Sequence, residues 1–165
     1  MNTRTAHPTT PQPPFLWEEL NGLSRVMADW PRRRQARALA LLALYAGEMH
    51  AEPVSAHDLM QQVLEWISPV EPRTAQRAQH LVAGVQQHRA ELDGWIEHYA
   101  EHWSLNRISP ITRNILRIAL FEYRYDQLDL PLVIYEAIEL AKTFAEEDAF
   151  RFIHGILDRC RSPVQ

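Results

Sequence analysis

Four arginines crowd the start of one segment: Arg32, Arg33, Arg34 and Arg37 in PRRRQARALALLALYAG. At helical spacing Arg33 and Arg37 are four apart and Arg34 and Arg37 three apart, so these three project from one side. Cations at a helix N-terminus oppose the macrodipole, at about 0.3–1 kcal/mol each when exposed, and they repel one another. No carboxylate lies among them. Stability alone would not select such a cluster. Two readings explain it. The arginines bind something anionic outside the domain, helped by the backbone N–H groups of the same helix end. Alternatively, acids elsewhere in the fold neutralise a basic end.

A second group of interest lies in the last third of the chain, PLVIYEAIELAKTFAEEDAFRFIHGILDRC. Phe150 and Phe152 fall at opposite edges of an apolar helical stripe, with Arg151 pointing away. A phenylalanine at a stripe edge beside an exposed arginine is either core padding or half of a binding surface. His98 and His102 are four apart with Glu97 and Glu101 nearby, but HYAEH is not HExxH and fixes no third ligand, so an exposed polar face is the better reading. There is no phosphate-binding glycine loop, no GxSxG and no Cys–His pair in a nucleophile setting. The residues therefore point to a binding protein and not an enzyme, with no metal and no cofactor.

The elements that carry these residues read as helices. Proline and glycine bracket the helix from Pro31 to about Gly47, which is largely buried beyond its first two turns. His57 to about Ile67 is a further helix, bounded by Ser68-Pro69. A long pattern runs from about Thr74 to Trp103, with Gly94 as its expected kink or break. Ser109-Pro110 opens the most apolar helix, Ile111 to about Tyr125, where Arg117 is expected to pair with Glu122 or Glu136. The last two helices run from about Pro131 to Phe144 and from about Glu146–Asp148 to Cys160. With only five glycines and no alternating β-branched run, the fold class is all-α.

At 165 residues the chain holds one domain with a real core. Its net charge of −4 argues against coating nucleic acid by bulk charge but leaves room for a local basic face. A single cysteine excludes an internal disulfide and suits a reducing cytoplasm. No apolar run approaches the roughly 20 residues of a membrane span, and the N-terminus lacks the apolar region of a secretory signal. Residues 1–29 form a proline-rich, partly disordered extension, with a short helix over Phe15 to Met27, and residues 30–161 form the helical domain.

RRRQARALALLALY, LVAGV, ELDGW, LNRISPITRNILRIALFEY and EAIELAKTFAEEDAFRFIHGIL occur in the order of the transcription antitermination factor NusB family, and residues 32–160 resemble it. The EAIELAK segment with the aromatic and acidic stretch after it is the most specific part. The resemblance implies a bundle of about seven helices in two subdomains. It implies a partner, NusE, the tenth small-subunit ribosomal protein. With NusE it implies binding to the single-stranded boxA element of nascent ribosomal RNA and loading of an antitermination complex on RNA polymerase. On matching positions, Arg33, Arg34 and Arg37 would be the arginine-rich RNA contact. Phe144, Asp148, Arg151 and Phe152 would form the second part of the RNA surface. The residue chemistry agrees, because single-stranded RNA is held by cations on phosphates and by bases stacked on flat side chains. Asp148 also suits a helix N-cap.

The chain departs from the family's usual pattern at three positions. Tyr135 stands in place of Asn, Ala145 in place of Gly, and His154 in place of Asn; the loop near Pro131 is also two residues short. Two other readings follow. NusB-like modules occur fused to ribosomal RNA cytosine methyltransferases, for which a chain ending just after the module leaves no room. An interaction bundle with weakened or lost RNA binding is favoured by the three changed positions and opposed by the arginine cluster. A homodimer would be able to cover the arginine face.

Overall fold

The computed structural model describes residues 17–101 and 103–161, and side chains from residue 22 onward. The proline-rich segment 1–14, Phe15 and Leu16, and His102 of the histidine pair lie outside the described residues. Among those described there are eight α-helices and no strand: α1 (Trp17–Met27), α2 (Arg32–Glu48), α3 (Ala56–Trp66), α4 (Pro72–Gln87), α5 (Arg89–Ala100), α6 (Pro110–Arg124), α7 (Leu130–Phe144) and α8 (Ala149–Arg159). A 3₁₀ turn, Leu105–Arg107, precedes α6.

Local chemistry sets the helix starts. Ser55 accepts a hydrogen bond from the Asp58 N–H at 3.1 Å and caps α3. Ser109 does the same for α6 through the Thr112 N–H, with Pro110 in the first turn, where its missing N–H has no partner to lose. Pro72 and Pro131 open α4 and α7 in the same way.

Helix α2 is buried on every side from Ala36 to Leu44. Alanines at 36, 38, 40 and 43 keep it slim, and α3, α4, α6 and α7 all close around it. α6 is buried from Asn114 to Glu122 and touches both halves of the structure: α2 and α4 on one side, α5, α7 and α8 on the other.

Two expectations are corrected. The long 74–103 pattern breaks at His88, not at Gly94. His88 leaves helical geometry at φ −108°, ψ 17°, while Gly94 sits exposed within α5. The His88 ring stacks on Tyr125 at 3.8 Å between centroids, which holds the corner against α6. Arg117 does not pair with Glu122 or Glu136. It reaches Asp93 of α5 at 2.6 Å and Glu48 of α2 at 2.9 Å. Both acids come from neighbouring helices, whereas Glu122 faces α2 and α4.

Candidate nucleic-acid interface

The N-termini of α2 and α4 lie at one end of the molecule, where Arg32 meets Glu71, the N-cap residue of α4, at 2.8 Å. The arginine cluster sits at this end, but its members differ sharply. Arg37 is buried, with its side chain 5% exposed, and forms a two-pronged pair with Glu122 at 2.6 and 3.1 Å. Arg34 is largely buried and forms a similar fork with Glu136 of α7 at 2.9 and 3.1 Å. That hydrogen-bonded carboxylate raises the Arg34 pKa further above its already high ordinary value. Arg33 is exposed, and no carboxylate pairs with it among the described residues.

These pairs belong to one chain of charges. Arg34 binds Glu136, which also lies 3.5 Å from Arg37; Arg37 binds Glu122; Arg77 bridges Glu122 at 3.0 Å and Asp126 at 2.7 Å; and the His80 ring meets Asp126 at 2.9 Å. Three arginines thus face three carboxylates from α2, α4, α6, α7 and the turn after α6. The acids elsewhere in the fold neutralise Arg34 and Arg37, as one of the two sequence readings expects. The cation left over at the surface is Arg33, with Arg32 held only by an exposed ion pair worth about 0–1 kcal/mol. Arg37 therefore presents no charge to solvent, and its place on the same helical side as Arg33 and Arg34 is spent on joining α2 to α6.

The second group surrounds the α7–α8 junction. Asp148 occupies the N-cap position of α8, is exposed, and makes no capping hydrogen bond through its side chain. Phe152 is half-buried and meets Trp103 edge-on at 6.2 Å. Asp148 and Phe152 line one groove of about 320 Å³ together with Trp103, Arg107, Thr112 and Glu146. Phe144 packs half-buried at the last turn of α7. Arg151 is exposed, and its guanidinium lies 5.6 Å over the Phe150 ring, away from the residues that line the groove. Of the seven residues singled out by sequence, the structure brings Asp148 and Phe152 to one groove and Arg33, Arg34 and Arg37 to one helix end. Helix α7 connects the two, since Glu136 clamps Arg34 and Phe144 follows two turns later, roughly 12 Å along the axis.

Three surface residues escape a reading by motif. Trp30 and Tyr135 flank Arg34, with ring centroids 6.0 and 5.9 Å from its guanidinium carbon. Arg73 stands exposed in the first turn of α4, beside Glu71 in sequence and hence near Arg32. A WP dipeptide before a basic helix was the only available signal for Trp30.

The NusB family model matches residues 34–162. The chain belongs to the NusB family. Among curated relatives, the transcription antitermination protein NusB of Myxococcus xanthus is 41% identical over 130 residues, covering 77% of this chain and 92% of that protein. The NusB of Anaeromyxobacter dehalogenans is 38% identical over 131 residues, covering 79% and 91%. Among solved structures, T. maritima NusB superposes with a TM-score of 0.66 at 33% identity, covering 79% of this chain and 89% of that one. A crystal structure of antitermination factors NusB and NusE in complex with double-stranded RNA gives 0.69 at 28% identity, covering 78% and 94%. The matched stretch takes in α2 from Arg34 onward and all later helices, including the Arg34–Glu136 and Arg37–Glu122 pairs. Helix α1, Trp30 and Arg33 precede it.

Proposed function

We propose that this protein is a transcription antitermination factor that binds the single-stranded boxA element of nascent ribosomal RNA together with the ribosomal protein NusE. In this reading the pair supports antitermination by RNA polymerase in the cytoplasm. The observation that carries it is Arg33: an exposed cation with no carboxylate partner among the described residues, at the end where the α2 and α4 N-termini meet. Two helix N-termini supply positive dipole ends and unpaired N–H groups, and Arg33, Arg32 and Arg73 add charge, which together suit a phosphate backbone. NusB relatives named for antitermination, and a related structure holding NusE and RNA, support the same assignment.

In the binding step, phosphates meet the arginine end while an unpaired base stacks at Phe152 and the acceptor oxygens of Asp148 face its polar edge. Arg151, exposed over the Phe150 ring, adds a cation on the same helix outside the groove, and Phe144 backs the junction. Neutralised Arg34 and Arg37 favour a second reading, an interaction bundle with weakened RNA binding. Fluorescence anisotropy of a short boxA-like RNA separates the two. The antitermination reading expects single-stranded boxA to bind, to bind more tightly with NusE, and to outcompete a scrambled strand or a duplex of the same sequence. Folded protein that binds NusE but no RNA would establish the interaction bundle instead.

A further inference from the structure

Arg34 lies between two aromatic residues from separate segments, Trp30 ahead of α2 and Tyr135 on α7. Its guanidinium is not free to turn, because both prongs of the fork bond Glu136. The rings are thus set against a fixed planar cation. Trp30 is held as well: its carbonyl accepts a hydrogen bond from the Gln35 side chain at 3.0 Å, and its N–H reaches the Met27 carbonyl at 3.0 Å. Tyr135, whose ring meets Arg34, remains 55% exposed. Arg33, which has no carboxylate partner among the described residues, adjoins Arg34 in the same helical turn.

An exposed ring against a fixed guanidinium, at a helix end that also carries the exposed Arg33, offers what an unpaired nucleotide requires: a flat face for the base and positive charge for its phosphate. A protein partner would be served as well by the ring alone, but not by an adjacent concentration of positive charge and helix N-termini. Trp30 precedes the stretch that the family model matches, whereas Arg34 and Tyr135 lie within it.

We propose that Tyr135, backed by Arg34 and Trp30, is a stacking subsite for one unpaired RNA base, with Arg33 on the adjoining phosphate. The inference rests on the RNA-binding reading above and extends it to a base outside the Asp148–Phe152 groove. Stacking accepts any base, so the subsite strengthens binding without adding a letter to the recognised sequence.

The test is anisotropy titration of a fluorescent single-stranded boxA-like RNA, with NusE present, at several salt concentrations. The proteins are wild type, Tyr135→Ala, Tyr135→Phe and Arg33→Ala. Tyr135→Ala should weaken binding about five- to a hundredfold, and Tyr135→Phe should restore it, since the ring is what stacks. The slope of log K against log salt should stay unchanged in Tyr135→Ala and shrink by about 0.7 in Arg33→Ala. Wild-type affinity in Tyr135→Ala, with weakened binding in Arg33→Ala, would overturn the subsite and leave the RNA-binding reading standing. A change in the oligomeric state of Tyr135→Ala at unchanged RNA affinity would likewise overturn it, making the ring a contact between copies. Absence of RNA binding by wild type would remove both.

Discussion

Arg37 and Glu122 stand 85 positions apart in the chain and 2.6 Å apart in the fold. Their pairing gives the arginine cluster of α2 two different tasks. Arg37 points into the molecule and ties α2 to α6, while Arg33 remains outside as a surface cation. Arg34 stands between these roles, with its charge balanced by Glu136 and its edges framed by aromatic rings.

The first expectation concerns stability. Removing one partner of a buried ion pair strands the other in a dry environment, at about 3–5 kcal/mol. Arg77 continues to contact Glu122, so Arg37→Ala falls near the low end, at about 3 kcal/mol. Arg33→Ala removes no ion pair among the described residues and changes stability by less than about 0.5 kcal/mol. Urea denaturation of the two variants side by side measures the contrast, and equal losses would contradict it.

Gly84 provides a second expectation. A methyl group on its Cα would overlap the ring of Phe121, which is itself buried between α4 and α6. The ring is buried and packed against His80, His88 and Tyr125, so Gly84→Ala overpacks the core and lowers stability by about 1–3 kcal/mol, although alanine is the better helix former. A shift of the thermal midpoint downward checks this; a midpoint at or above wild type would show that the helices can separate without cost.

Cys160 offers a third. Burial raises its thiol pKa from the ordinary 9.0 to about 12, and nearby Arg124 offsets this only in part. The folded protein should therefore react slowly with a thiol reagent at pH 8 and quickly in urea. The folded state keeps its proton where the unfolded chain loses it. Its contribution is complete below about pH 9 and is lost as pH rises through about 12. Tyr125, raised to about 12 chiefly by its hydrogen bond to Glu91, acts in the same direction. Denaturant midpoints from pH 8 to 11 should decline, and the decline should be shallower in Cys160→Ala.

Phe152 carries a fourth expectation. It is half-buried against Trp103, so Phe152→Leu keeps most of its packing but loses the flat face. In the proposed function this variant weakens RNA binding by about 1–3 kcal/mol while its melting temperature moves little. Unchanged affinity would assign the ring to core packing alone.

The helices were largely legible because their signals are local: Ser109-Pro110 before α6, Pro31 before α2, and apolar residues at three- and four-residue spacing, although α2 runs through Gly47 to Glu48. The break at His88 was not, because it depends on a ring stacked against Tyr125 from another helix, whereas Gly94 drew attention by composition alone. The ion pairs were the least legible part. Spacing places Arg33, Arg34 and Arg37 on one side of a helix, but burial depends on what packs there, and the carboxylates arrive from α6 and α7. For the same reason Arg117 found Asp93 and Glu48 instead of the acids nearest to it along the helical pattern.

The most direct measurement is the salt dependence of boxA RNA binding in wild type, Arg33→Ala and Arg161→Ala, the last an exposed arginine of the C-terminal end paired with Asp158. On a single strand each phosphate contact contributes about 0.7 to the slope of log K against log salt. If RNA lies on the arginine end, Arg33→Ala binds more weakly with a slope smaller by about 0.7, and Arg161→Ala matches wild type. If Arg33→Ala retains wild-type affinity and slope, RNA does not bind at this end of α2.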